Sequence, residues 1–161
     1  MIAIYDFDGT LTPSSLPQYA ILKQCGCTNA MLMGRVAKRM AQGKSEDFYE
    51  TYYKCYREIL TENGIEMSKE NICLGAGEVK LNNGVEEYFK RFQSTKTGIK
   101  HYIVTSGIKD YVAETVISSL VDGIYGVEFE QQDGKYRDIS FLLTDKKKVD
   151  VIQQIQKANA G

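Results

Sequence analysis

Metal-ligating and strongly charged features are scarce in this 161-residue chain. Histidine occurs once, at His101, and the four cysteines, Cys25, Cys27, Cys55 and Cys73, lack the paired spacing of a zinc knuckle. That argues against a thiolate metal site and leaves free thiols in a reducing compartment as the expectation. Neither sign of charge dominates: 20 Lys and Arg oppose 21 Asp and Glu, a net charge of −1. The basic footprint of a nucleic-acid or membrane-surface partner is missing, so neither partner is expected. The N-terminus meets an acid at Asp6, too early for a signal peptide or a membrane anchor, and the expected location is the cytoplasm. With 43% hydrophobic and 25% charged residues the composition is that of a globular chain, long enough for one core with a small insertion.

What is present begins at once. Ile2 to Tyr5 is a short apolar run, followed by Asp6-Phe7-Asp8-Gly9-Thr10-Leu11-Thr12. The run predicts a buried strand stopped by a turn, with Asp6 and Asp8 at its carboxyl end, where open α/β sheets bind ligands. Residues two apart on extended backbone share a side, so both carboxylates are expected to face one pocket. An ordinary acidic turn accounts for Asp8-Gly9 but not for a second acid against the strand, where an unpaired carboxylate is costly to bury. A calcium loop counted from Asp6 meets Leu11 where it needs Gly and Pro17 where it needs Glu.

Residues 13–78 read as helical. One helix is expected from about Gln18 to the stop at Cys25-Gly26-Cys27, and a second is capped by Asn29 and carries Leu32, Val36 and Met40. A third opens at Ser45, with Glu46 and Asp47 in its first turn and Phe48, Tyr52, Cys55, Tyr56 and Ile59 on one stripe. Its tyrosines, Tyr49, Tyr52, Tyr53 and Tyr56, are expected to be core rather than a surface for a substrate ring. A short helix over Ser68 to Leu74 ends at Gly75-Ala76-Gly77, a candidate hinge. From Asn83, expected to cap a helix with Val85, Tyr88, Phe89 and Phe92 inward, α/β character resumes. A strand from Ile99 to Val104 leads into Thr105-Ser106-Gly107, which either lies beside Asp6 in a parallel sheet or merely caps the following helix with its Val112, Val116 and Leu120 stripe. His101, near that strand's start, is expected to be structural. Ile124 to Glu130 and Tyr136 to Leu143 form a hairpin around Asp133-Gly134. Asp145 is expected to cap a last helix whose first turn carries Lys146, Lys147 and Lys148, a placement that opposes the helix dipole and so points to a purpose, though a solvated basic face is the plainer account.

Asp6-Phe7-Asp8-Gly9-Thr10-Leu11-Thr12 resembles the first signature, Asp-x-Asp-x-Thr, of the haloacid dehalogenase superfamily. The strand ending at Thr105, with Ser106 as the alternative, resembles the second. Lys148 is the best match to the third, with Lys146 and Lys147 remaining possible. The resemblance implies an α/β fold with a Rossmann-like parallel sheet, residues 1–12 and 79–161 forming the core and 13–78 a helical cap of the phosphoserine phosphatase-like kind. It implies a magnesium-dependent phosphomonoester hydrolase that passes through an aspartyl phosphate on a small phosphorylated metabolite. Asp6 would be the nucleophile, Asp8 the acid and base, and Asp6 and the Asp8 carbonyl the magnesium ligands. Asp6, Gly9, Thr105, Ser106, Gly107 and Lys148 would contact phosphate. The second acid sets the chain apart from the dehalogenases, while a phosphomutase stays open. Ser14, Ser15 and Lys109 are unranked candidates for substrate contact.

The resemblance has one departure. The fourth signature, an acidic strand following the Lys148 helix, has no counterpart before Gly161. A truncated or inactive relative that binds phosphate or a partner without turnover is therefore the alternative, and a second copy covering the exposed edge of the first strand is a further expectation.

Overall fold

The computed structural model describes residues 1–17, 19–43, 47–95 and 97–161. At its centre is a sheet of four strands, β1 (Ile2–Tyr5), β2 (Lys100–Ile108), β3 (Gly123–Gln132) and β4 (Lys135–Phe141), in the spatial order of the chain. The first three run parallel and β4 returns antiparallel, so the α/β architecture is a parallel sheet with a hairpin at one edge and β1 at the other. The hairpin closes through Asp133 (φ 53°) and Gly134 (φ 74°), two left-handed residues whose twist suits a two-residue turn.

Helices cover both faces. Successive β2 residues point to opposite sides: Ile103 joins a small core with Phe7, Leu11, Phe89, Val112 and Ile117, and Val104 joins a larger one with residues from the 13–78 segment. That segment holds α1 (Ala20–Gln24), α2 (Asn29–Ala41), α3 (Phe48–Glu62) and the short α4 (Lys69–Ile72). The stripes of α2 and α3 pack against each other, and Arg35–Glu62 and Arg39–Glu58 pairs close the outer edges at 2.8 and 2.7 Å. Exposed pairs of this kind add at most ~1 kcal/mol, so the buried stripe supplies most of the cohesion. Beyond it lie α5 (Val85–Thr95), α6 (Lys109–Ala113) and α7 (Asp145–Ala158), the last burying Val151 and Ile155.

Several boundaries differ from the sequence expectation. Thr28, not Asn29, caps α2, its hydroxyl accepting from Met31 N–H, and Met40 at the far end of the stripe is exposed. The expected starts at Gln18 and at Ser45-Glu46 lie outside the described residues; Asp47 caps α3 instead of lying in its first turn. The first backbone bond of α5 runs from Tyr88 N–H to the Gly84 carbonyl, which puts Gly84 rather than Asn83 at the cap position, and Tyr88 is 43% exposed. The helix expected through Val112, Val116 and Leu120 is broken: α6 stops at Ala113, a 3-10 turn spans Val116–Leu120, and Val116 is exposed. Thr144 caps α7 and Asp145 is its first residue. Gly75-Ala76-Gly77 is no loose hinge, because Ala76 is buried and a Cβ on Gly75 would come within 2.9 Å of Ala20 Cβ. His101 sits buried at the far end of β2, its Nδ1 2.9 Å from Tyr5 Oη. All four cysteines are free thiols. Among the described residues no helix is long and apolar enough to cross a membrane.

Candidate active site

The register of β1 on β2 places Tyr5 opposite Ile103, so the chain after β1 runs beside the last residues of β2. Beyond Tyr5 the chain tightens: the N–H groups of Thr10, Leu11 and Thr12 converge on the Phe7 carbonyl, and Phe7 is buried in the smaller core. This alternation turns Phe7 inward and leaves Asp6 and Asp8 on the other side, where both line one cavity. Gly9 (φ 74°) completes the turn and does not line the cavity; a Cβ there would meet Ser15 Cα at 3.0 Å, so it serves the close approach of 8–15.

The β2 strand runs further than expected, through Thr105, Ser106 and Gly107 to Ile108, with a register shift against β3 after Val104. Thr105-Ser106-Gly107 therefore does not cap α6; Ile108 stands at its cap position and offers no side-chain bond. All three line the cavity with Asp6 and Asp8. Thr105 Oγ1 accepts from Gly107 N–H at 3.0 Å. Ser106 Oγ is buried and has no hydrogen-bond partner. A Cβ on Gly107 would lie 3.3 Å from Asp8 Oδ2 and 3.2 Å from Thr105 Oγ1, so the glycine leaves room for the carboxylate.

The lysine run at the start of α7 splits by direction. Lys148 reaches the cavity, its Nζ 3.1 Å from Asp6 Oδ2, whereas Lys147 lies over the Phe141 ring at 5.4 Å and Lys146 is exposed. The other Asp6 oxygen, Oδ1, accepts from Phe7 N–H at 2.8 Å. Asp8 has a different environment. Burial first and the neighbouring Asp6 charge second push its carboxyl up to about 7, against a smaller pull from Lys148. Asp6 is thus paired with a cation, while Asp8, two residues on, is able to carry a proton near neutrality.

The opposite wall comes from the helical segment. Leu16, Pro17, Phe48, Tyr49, Tyr52 and Tyr53 complete the lining. Of the four tyrosines expected in the core, Tyr52, Tyr53 and Tyr56 are buried but Tyr49 is only half-buried, and Tyr49, Tyr52 and Tyr53 all line the cavity, which sequence reasoning missed. Tyr53 Oη donates to the Ser106 carbonyl at 2.7 Å, and Ile108 N–H donates to Tyr19 Oη at 2.9 Å. These tyrosines hold the end of β2, satisfying backbone groups that the register shift frees. Tyr52 Oη, like Ser106 Oγ, is buried without a partner. Of the substrate-contact candidates, Ser15 lines the cavity, Ser14 turns its hydroxyl to the Leu16 carbonyl, and Lys109 pairs with Glu128 at 2.6 Å away from it.

No protein-family model matches the chain, and no curated protein matches its sequence. Solved structures do match its fold. A haloacid dehalogenase-family hydrolase from Salmonella enterica serovar Typhi superposes at a TM-score of 0.71 with 14% identity, over 99% of this chain and 52% of its own. A phosphoserine phosphatase captured as a phospho-aspartyl intermediate analogue gives 0.68 and 20% over 98% of this chain and 71% of its own. A phosphoserine phosphohydrolase-like protein from Francisella tularensis gives 0.63 and 16%, covering 99% of this chain and 74% of its own. This chain therefore spans about half the length of the first of these proteins. At such identities the likeness is one of fold: the chain has a haloacid dehalogenase-type fold.

Proposed function

We propose that this chain, built on the haloacid dehalogenase-type fold, is a phosphomonoester hydrolase working through an aspartyl phosphate. The observation that carries the proposal is the pairing of Asp6 with Lys148 beside an Asp8 whose carboxyl titrates near 7, in one cavity. Asp6 attacks phosphorus, forming an acyl phosphate as the bond to the leaving oxygen breaks. Asp8 gives its proton to that oxygen. It then takes a proton from the water that attacks the acyl phosphate, releasing phosphate and restoring Asp6. Lys148 offsets charge on the transferring group, and Thr105 and Ser106 supply hydroxyl donors to its oxygens.

The donor set suits a hard divalent cation that keeps most of its waters: magnesium takes one or two carboxylates together with phosphate oxygens, and Asp6 with the Asp8 carbonyl would hold it here. Bound there, it supplies neutralisation of the phosphate charge against which a carboxylate must attack. Among the described residues no group of three or more His, Cys, Asp or Glu side chains could hold a metal by itself. That favours, as a second reading, a chain that binds phosphate without turnover.

One assay separates the two. Phosphate release from a generic aryl phosphate is measured with and without magnesium, with Asp6→Asn as control. Magnesium-dependent release that falls at least ~10³-fold in the variant is the expected outcome. A folded chain that binds inorganic phosphate but releases none from the ester supports the second reading.

A further inference from the structure

We propose that the leaving group of the substrate is an uncharged aromatic alcohol, an inference that rests on the phosphatase reading of this site. The cavity that holds Asp6 and Asp8 is small, about 60 Å³, and open to solvent, so an ester larger than a phosphoryl group extends along its lining. The apolar part of that lining, Leu16, Pro17, Phe48 and Tyr49, is half-buried. The Phe48 and Tyr49 rings meet edge to face at 5.2 Å, and the Tyr52 ring lies 6.3 Å from Phe48. A planar ring lying against these side chains buries its faces on aliphatic and aromatic carbon.

Charge points the same way. Among the described lining residues Lys148 is the only cation, and it is engaged with Asp6. A carboxylate on the leaving group would sit near two acids with no second cation among the described lining residues to receive it. Among the same residues the carboxylates are Asp6 and Asp8, both given to the reacting phosphoryl group, so an ammonium has none of its own.

The test compares benzyl phosphate, O-phosphoserine and phosphoethanolamine, all esters of aliphatic alcohols, so that leaving-group acidity does not decide the order. The expected result is a kcat/KM for benzyl phosphate at least tenfold above both others, most of it in KM. In Tyr49→Arg the preference shifts at least tenfold toward O-phosphoserine, while Tyr49→Phe keeps the original order. Either charged ester matching benzyl phosphate overturns the inference and leaves the phosphatase reading standing. Calorimetry on Asp6→Asn gives a readout without turnover: benzyl phosphate binding more tightly than inorganic phosphate is expected, and equal affinities overturn the inference even if no ester is hydrolysed.

Discussion

Across the cavity, the strand ends bring charge and the helical segment brings rings. Asp6, Asp8 and Thr105 stand on or just beyond strands that the parallel sheet holds in register, with Lys148 reaching in from the first turn of α7, while Phe48, Tyr49 and Tyr52 stand on one helix whose inner stripe is core. On the proposed reading the first wall moves a phosphoryl group and the second chooses what it is attached to. They meet through Tyr53 and Tyr19, which bond the backbone at Ser106 and Ile108. Chemistry and selectivity are therefore separable by mutation, except where a tyrosine does both.

The sharpest way to break this division is within the lysine run. Lys148→Ala should lower turnover of an aryl phosphate ~10²-fold or more, the scale of losing one charge-stabilising donor, while Lys147→Ala should change it by less than about twofold. Equal losses in steady-state assays would mean that the geometry at Asp6 does not set the chemistry.

A second effect comes from Asp8. As the proton donor its activity should fall about tenfold per pH unit well above about 7, the value to which burial and Asp6 push it. The same shift has a consequence for stability. Folding raises this carboxyl's pKa above its ordinary range, so the folded chain holds a proton that the unfolded chain releases. The stability it contributes is complete below about pH 4 and is lost as pH rises through about 7. In chelator, Asp8→Asn should therefore melt higher than the parent near pH 8, and the gap should close toward pH 4. A gap independent of pH would contradict the shift.

The smallest effect concerns the aromatic wall. Tyr52→Phe removes a buried hydroxyl that has no partner, so it should be neutral or stabilising by ~1 kcal/mol in denaturant titration and leave the order of ester preference unchanged. Loss of stability instead would contradict an unpartnered hydroxyl at that position.

How much was legible follows the same division. The acids after β1, the hydroxyls at the end of β2 and the Asp133-Gly134 hairpin all rest on short local patterns, and each is found where its pattern places it. The short caps fared worse, because Thr28, Gly84 and Thr144 each lie one residue from the position read, or on its other side, where several capping residues compete. The second role of α3 left one faint signal: four tyrosines in eight residues carry more hydroxyls than a core stripe needs.

By itself the sequence determined the strand-and-turn that carries two carboxylates, the alternation of helix and strand, and the faces that must be buried, because each is a periodicity or turn preference expressed within a dozen residues. Only the tertiary structure decided which of three adjacent lysines meets Asp6, which tyrosines hold the end of β2, and that an aromatic core stripe continues into the cavity wall. Those are contacts between residues separated by 53 to 142 positions. They depend on the angle and register at which whole elements pack, and no local pattern encodes either.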